Sequence, residues 1–260
     1  MQNWMKRAEG ELKRIVGPQL LAEIFGEGAG FPALKSVIVP PPGHVFIEAD
    51  WKQAEMFALA ALSGDSTMMD ALNTPGKDLH DLTAITAFKI QVIDANGAPV
   101  PEDYLLGLAA ADVEKYGTCE GHEFEAFQSK LFYLNQRGKA LSRKEFKSTL
   151  RVSSKSLNFG IPYGRGSMAI ALQVKAETGS QTPVQELKAE IDVMMEAWKQ
   201  ETYTSAWSYM EWCAEQAASP GYIENPWGRR RLFAPTNDRG LLRAYGREAM
   251  NFPEPLKTGK

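Results

Sequence analysis

From Ser142 to Ala218 this 260-residue sequence reads almost entirely as helix, and that stretch restricts the fold more than any other feature. A helical pattern runs from Ser142 to about Asn158 and breaks at Gly160-Ile-Pro-Tyr-Gly164. Further helices follow and stop at Ser219-Pro-Gly221. Upstream, residues 1–25 carry apolar positions at helical spacing (Trp4, Leu12, Ile15, Leu20, Leu21, Ile24). Helix formers recur from Gln53 to Leu62 and from Thr67 to Leu72, and Gly64-Asp65 and Asn73-Thr-Pro-Gly76 punctuate them. A further helix is expected to start near Asp78. Strand character is confined to short segments. Ser36-Val-Ile-Val and His44-Val-Phe-Ile-Glu-Ala-Asp50 flank Pro41-Pro42-Gly43 and predict strand, turn, strand, with Asp50 at a strand's carboxyl end. Tyr222-Ile-Glu and Arg230-Arg-Leu-Phe predict a hairpin, and Arg239 to Met250 a last helix. Residues 89 to 130 show weak periodicity and predict loops and short helices. The fold class is α+β, mainly helical.

Composition excludes the non-globular classes. With 44% apolar and 23% charged residues the chain has the balance of an ordinary packed protein, neither collagenous nor disordered. Runs such as Phe57–Leu62 fall far short of the roughly 18 apolar residues that span a bilayer, and Lys6, Arg7 and Glu9 stand where a leader would be apolar, so an intracellular protein with no membrane partner is expected. Two cysteines, Cys119 and Cys213, are too few for a disulfide framework or zinc knuckle.

The net charge of −3 conceals two basic islands. Residues 130–165 hold nine Lys/Arg against Glu145 alone, and residues 229–247 hold six Arg against Asp238. Aromatic residues interleave both (Phe132, Tyr133, Phe146, Phe159, Tyr163, Phe233, Tyr245). That combination suits a polyanion, because cations meet phosphates while rings stack on bases. Within the first island, Arg151, Lys155 and Phe159 lie four residues apart, so they share one helix face, and Tyr163 continues the spacing. Two cations followed by a ring fit a nucleoside triphosphate. Asp50, with Gln53 and Glu55 just beyond it, is placed to hold a hard cation, and His80 is one of only three histidines.

These residues fall into motifs. Phe46-Ile-Glu-Ala-Asp-Trp-Lys-Gln-Ala-Glu55, with Leu59-Ala-Ala-Leu-Ser-Gly-Asp65 and Lys77-Asp-Leu-His80, resembles motif A of the family A DNA polymerases and the segment behind it. Arg151-Val-Ser-Ser-Lys-Ser-Leu-Asn-Phe-Gly-Ile-Pro-Tyr-Gly164 resembles motif B, the fingers helix. Gly221-Tyr-Ile-Glu, Gly228-Arg-Arg-Arg231 and Arg247-Glu-Ala-Met-Asn-Phe-Pro253 are similar to the stretch leading toward the last catalytic strand. The resemblance implies fingers helices with part of the antiparallel palm sheet of a right-hand polymerase. It divides the chain into a helical lead-in (1–32), a palm part (33–75), fingers (76–218, with an insertion at about 89–137), a return to palm (219–253) and a divergent tail (254–260).

The resemblance also implies a chemistry: DNA-templated transfer of a nucleotide from dNTP to a primer 3′-hydroxyl, by a two-metal mechanism with Mg²⁺, in the cytoplasm of a bacterium or phage-infected cell. It makes Asp50 a metal ligand and catalytic residue, with the Trp51 carbonyl as a further ligand. Gln53 and Glu55 would line the sugar and phosphate pocket, Glu55 as the gate against a 2′-hydroxyl. His80, Arg151 and Lys155 would hold the triphosphate, Lys155 also protonating pyrophosphate. Phe159 would pack on the incoming nucleotide, and Tyr163 would stand where the template base enters. Arg229, Arg231, Arg247 and Asn251 would touch primer-template DNA.

Departures from the family pattern carry expectations of their own. Pro162 removes a backbone donor late in motif B and is expected to end or kink that helix. Trp51-Lys52 replaces the common Tyr-Ser. The Gln expected after Asn-x-Pro is absent, as is the His-Asp-Glu strand that supplies the second metal carboxylate. The expectation is an incomplete or split polymerase, inactive or weak alone, whose palm a second polypeptide completes. Two other readings stand beside it: a non-catalytic nucleotide or nucleic-acid binding module derived from this fold, and a single-subunit RNA polymerase relative, which Glu55 disfavours.

Overall fold

The structure, a computed structural model, describes residues 53–251 together with Leu20, Glu23, residues 39–45 and Ile47. The chain divides into two units, Met1–Lys52 and Gln53–Lys260. The predicted leading helix and most of the predicted strand-turn-strand lie outside the described residues. Within residues 39–45 the turn is present, closed by His44 N donating to Pro41 O at 3.0 Å with Gly43 at φ +79°, but these residues form no strand. Three prolines and glycine in a row remove the donors that a ladder needs.

The second unit opens with α1 (Ala54–Ser63), α2 (Ser66–Asn73) and α3 (Leu79–Phe88). Acidic caps start α2 and α3. Asp65 Oδ1 accepts from Met68 N at 2.9 Å, and its Oδ2 accepts from Ala206 N at 3.1 Å, so one buried carboxylate caps α2 and the start of a distant helix. Asp78 Oδ1 accepts from His80 N and Asp81 N at 2.8 and 3.0 Å, which starts α3 where the sequence predicts.

Within residues 89–130, where loops and short helices are expected, the structure adds a strand and one longer helix. β1 (Gln91–Ile93), β2 (Phe132–Leu134) and β3 (Ala140–Ser142) make an antiparallel sheet in the order β1-β2-β3, and between β1 and β2 run the fifteen-residue α4 (Glu102–Tyr116) and the short α5 (Glu123–Gln128). Strands of three residues are too short to show alternation in sequence. Their inward side chains, Tyr133 and Leu141, join Ile90, Leu131 and Phe146 in a separate apolar cluster that also takes Ala84 of α3.

The pattern from Ser142 to Asn158 is likewise two helices, not one. α6 (Arg143–Ser148) starts with a reciprocal capping box between Ser142 and Glu145, and α7 (Leu150–Gly160) follows a break at Thr149, φ −121° and ψ −80°. The Thr149 hydroxyl donates to Glu145 O at 2.7 Å, beside the backbone bond from Thr149 N to the same carbonyl at 3.1 Å. After α7 the backbone turns through Ile161–Gly164, as Pro162 requires.

Next come α8 (Ser167–Thr178) and α9 (Val184–Ala197), a π-helical turn (Trp198–Thr202), and α10 (Thr204–Ala218). The hairpin β4 (Tyr222–Glu224) and β5 (Arg230–Leu232) appears as predicted, as does α11 (Arg239–Asn251), which packs along α10. The main core joins α1, α2, α3 and α7 to α8–α10 through Met56, Leu59, Leu157, Ile170, Trp198 and Tyr203, all fully or almost fully buried. A third cluster, Cys213, Ala217, Ile223, Phe233 and Ala249, fixes the hairpin between α10 and α11. The protein is mainly helical with small antiparallel sheets, and no described helix is long and apolar enough to cross a membrane.

Candidate nucleotide and nucleic-acid site

One face of α7 organises the site. Its buried side carries Ser154, Leu157 and Asn158 into the core, and this leaves Arg151, Lys155 and Phe159 along the opposite, more open side. Lys155 is exposed and makes no ion pair among the described residues; Phe159 is half-buried. Tyr163, the fourth residue in the spacing, falls beyond the helix in the turn that Pro162 imposes.

His80 lies against this face from α3, its ring 5.7 Å from that of Phe159. Its protonation is determined by buried neighbours. Trp198 Nε1 can only donate, and it donates to Asn158 Oδ1 at 2.8 Å, so Asn158 Nδ2 is the donor to His80 Nδ1 at 2.9 Å. Burial lowers the imidazole to about 4 from its ordinary 6.5, outweighing the pull of Asp78; Arg151 and Lys155 push the same way as burial. His80 is therefore neutral near pH 7, with its proton on Nε2, and acts as a neutral donor rather than a cation. Thr83 and Tyr203 complete this network, Thr83 Oγ1 accepting from Asn158 Nδ2 at 2.9 Å and lying 2.8 Å from the Tyr203 hydroxyl.

Arg151 stands at the acidic start of α3. Its guanidinium donates to Asp78 Oδ2 at 2.7 Å and its Nε sits 3.0 Å from Asp81 Oδ1, while Arg143 sits 2.7 Å from Asp81 Oδ2. Arg151 holds Asp78 below the usual carboxylate range despite burial; for Asp81 burial wins and the carboxyl is raised, although Arg143 pulls it down. Two of the nine cations in the first basic island are thus neutralised internally, which a count of charges along the sequence cannot reveal.

The structure brings other predicted residues together. Tyr163 donates its hydroxyl to Glu55 Oε1 at 2.7 Å, so the proposed sugar gate and the proposed template-side ring are directly linked. Gln53 caps α1 with a left-handed backbone, φ 55°, uncommon for a residue other than glycine. Gly164 is also left-handed, at φ +68°, and a Cβ there would come within 2.6 Å of Arg247 Cγ, so the stem of Arg247 on α11 lies directly against the end of the α7 turn.

Arg229 and Arg231 lie apart from this group, on the exposed β4–β5 hairpin. Arg231 pairs with Glu248 of α11 at 2.7 Å, and Trp227 at the hairpin tip is 69% exposed. Asn251 ends α11. Asp50 and Trp51 lie outside the described residues, and no cluster of three His, Cys, Asp or Glu able to hold a metal occurs among the described ones. Sequence reasoning missed Asn158, Trp198, Asp81 and Arg143. Only the position of Asp78, an acid before an apolar run, gave a cap signal.

Comparison with known proteins finds similarity to DNA polymerases, the family model reaching only the first of the motifs. The family model described as DNA polymerase family A matches residues 27–97. DNA polymerase I of Pseudomonas aeruginosa is 24% identical over 223 residues, covering 85% of this chain and 17% of that protein. The DNA polymerase of Mycobacterium phage D29 is 29% identical over 191 residues, covering 73% of this chain and 21% of that protein. Among solved structures, the POL domain of Pol1 from M. smegmatis in complex with DNA primer-template and dNTP matches with a TM-score of 0.45 at 23% identity, over 78% of this chain and 25% of that one. The chain spans about a fifth of the length of these curated relatives.

Proposed function

We propose that this chain, similar in sequence to family A DNA polymerases, supplies the nucleotide-gripping part of a DNA-directed DNA polymerase, which extends a primer 3′-hydroxyl with dNTPs on a template. The observation that carries the reading is the open face of α7: an exposed Lys155 with no ion pair among the described residues, then Phe159, with the Nε2–H of a neutral His80 beside it. An ammonium and a neutral N–H donor suit the triphosphate, and the ring suits the base and sugar. In this reading Lys155 also donates the proton that departing pyrophosphate needs, and Arg151 reaches the phosphates from its place at the start of α3. Glu55, held by Tyr163, narrows the space open to a 2′-hydroxyl. Arg229, Arg231, Arg247 and Asn251 contact primer-template DNA.

Mg²⁺ enters this reading through Asp50 and the Trp51 carbonyl alone. Among the described residues no cluster of His, Cys, Asp or Glu side chains is placed to hold the metal. A second carboxylate and the partner polypeptide that completes the palm belong to the same proposal. Binding of dATP to the full chain tests it. Lys155→Ala should weaken binding about 10- to 150-fold, the range expected for a charge-assisted hydrogen bond. Unchanged affinity in that variant would sink the assignment of α7, and primer extension that survives Asp50→Ala would sink the assignment of the metal site.

A further inference from the structure

Arg143, the first residue of α6, follows the module formed by β1–β3, α4 and α5, and its side chain ends beside the proposed triphosphate grip. Its side chain is 11% exposed. From the module side, Nη1 donates to the Tyr133 hydroxyl at 2.9 Å and Nη2 to Gln128 Oε1 at 3.2 Å, and the guanidinium lies 5.5 and 5.6 Å from the Tyr133 and Phe146 ring centres. From the other side, it is 2.7 Å from Asp81 Oδ2. The second oxygen of that carboxylate is 3.0 Å from Arg151 Nε without the alignment of a hydrogen bond. One buried carboxylate is therefore shared by two guanidiniums: Arg143 has the close contact, and Arg151 has a looser one that adds to its bond with Asp78.

We propose that Arg143 is a positioning residue for nucleotide binding: by occupying Asp81 it limits the hydrogen-bonded hold on Arg151 to Asp78, and so leaves that guanidinium able to meet a triphosphate. The inference rests on the reading that Arg151 contacts the triphosphate. The physical ground is the strength of charge pairs in a poorly solvated site. Coulomb interactions add pairwise, so Arg143 does not dilute the pull of Asp81 on Arg151; it opposes that pull by repelling the neighbouring guanidinium and by holding Oδ2, which keeps Oδ1 out of line with Arg151 Nε. Without Arg143 that repulsion is lost and the carboxylate can turn onto Arg151, so a triphosphate must then compete against Asp78 and Asp81 together for that guanidinium. The geometry thus makes the β1–β3 sheet an element that tunes dNTP affinity without touching the dNTP, because Tyr133 and Gln128 aim Arg143.

Equilibrium titration of the full chain with dATP and, in parallel, deoxyadenosine, at about pH 8 where carboxylates are ionised, tests the proposal. Arg143→Met should weaken dATP binding about 5- to 20-fold, leave deoxyadenosine binding within about twofold, and have no effect in an Arg151→Met background. The double variant Asp81→Asn with Arg143→Met removes the pair together and guards against loss of folding, which thermal melting monitors; it should return dATP affinity to within about threefold of the parent. Three results overturn the proposal: unchanged dATP affinity in Arg143→Met, effects of Arg143→Met and Arg151→Met that simply multiply, or a folded double variant as weak as Arg143→Met. If Arg151→Met itself leaves dATP binding unchanged, the reading of Arg151 falls and the inference with it. If Arg151→Met weakens binding and Arg143→Met does not, the inference alone falls.

Discussion

His80 shows how a single side chain can be set by neighbours far away in sequence. Its Nδ1 accepts from Asn158 because Trp198 holds the amide the other way round, and burial keeps the ring neutral. The folded value of about 4 lies below the unfolded 6.5, so the unfolded chain binds the proton more readily between them. Stability is accordingly full above about pH 6.5 and declines as pH falls toward 4, by on the order of 3 kcal/mol from this residue. Denaturant midpoints for the parent and His80→Gln, measured at intervals across that window, should converge as pH falls; parallel curves would show that the imidazole does not titrate this way. The Glu55–Tyr163 bond makes a different prediction. Glu55→Ala should increase use of NTPs relative to dNTPs in a complete enzyme, Tyr163→Phe should do so more weakly, and the order is read from single-nucleotide incorporation. Both residues were legible as candidates from their motifs. Their direct bond was not, because 108 residues separate them.

At the scale of elements, helix starts were readable and helix interiors were not always so. Asp78 announced α3, since an acid before an apolar run supplies the acceptor that free N–H groups need. The α6–α7 break escaped detection, because nothing in the composition around Thr149 distinguishes it from a helix interior. The β1–β3 sheet escaped for a geometric reason, as each strand is three residues long. Asp65 allows a quantitative test. Asp65→Ala strips acceptors from Met68 N and Ala206 N at once and should cost about 2–4 kcal/mol, with Asp65→Asn intermediate, by urea denaturation. A cost below about 0.5 kcal/mol would mean that water or other groups replace both caps.

Across the whole molecule, charge placement rather than net charge describes the surface. Arg143 and Arg151 face inward to Asp78 and Asp81, whereas Lys130, Arg137, Lys139, Lys144, Lys147, Lys155 and Arg165 remain exposed. Arg229–Arg231 are exposed on the hairpin, with Arg230 and Arg231 paired to Glu224 and Glu248. Binding of primer-template DNA should therefore weaken steeply with salt, and Arg229→Ala should reduce the slope of log K against log salt by about 0.7–0.9 if that side chain meets one phosphate. Anisotropy titrations in a KCl series measure it, and an unchanged slope would remove Arg229 from the interface. The architecture also sets an order of events during synthesis. The second partner of Asp65 emerges 141 residues after it. At a translation rate of about 5–20 residues per second, this means a wait of roughly 7–28 s. Throughout that interval the carboxylate must stay hydrated and the first three helices lack the bundle that buries them. On the ribosome, closure of the helical core is consequently a late event, timed by the arrival of α10.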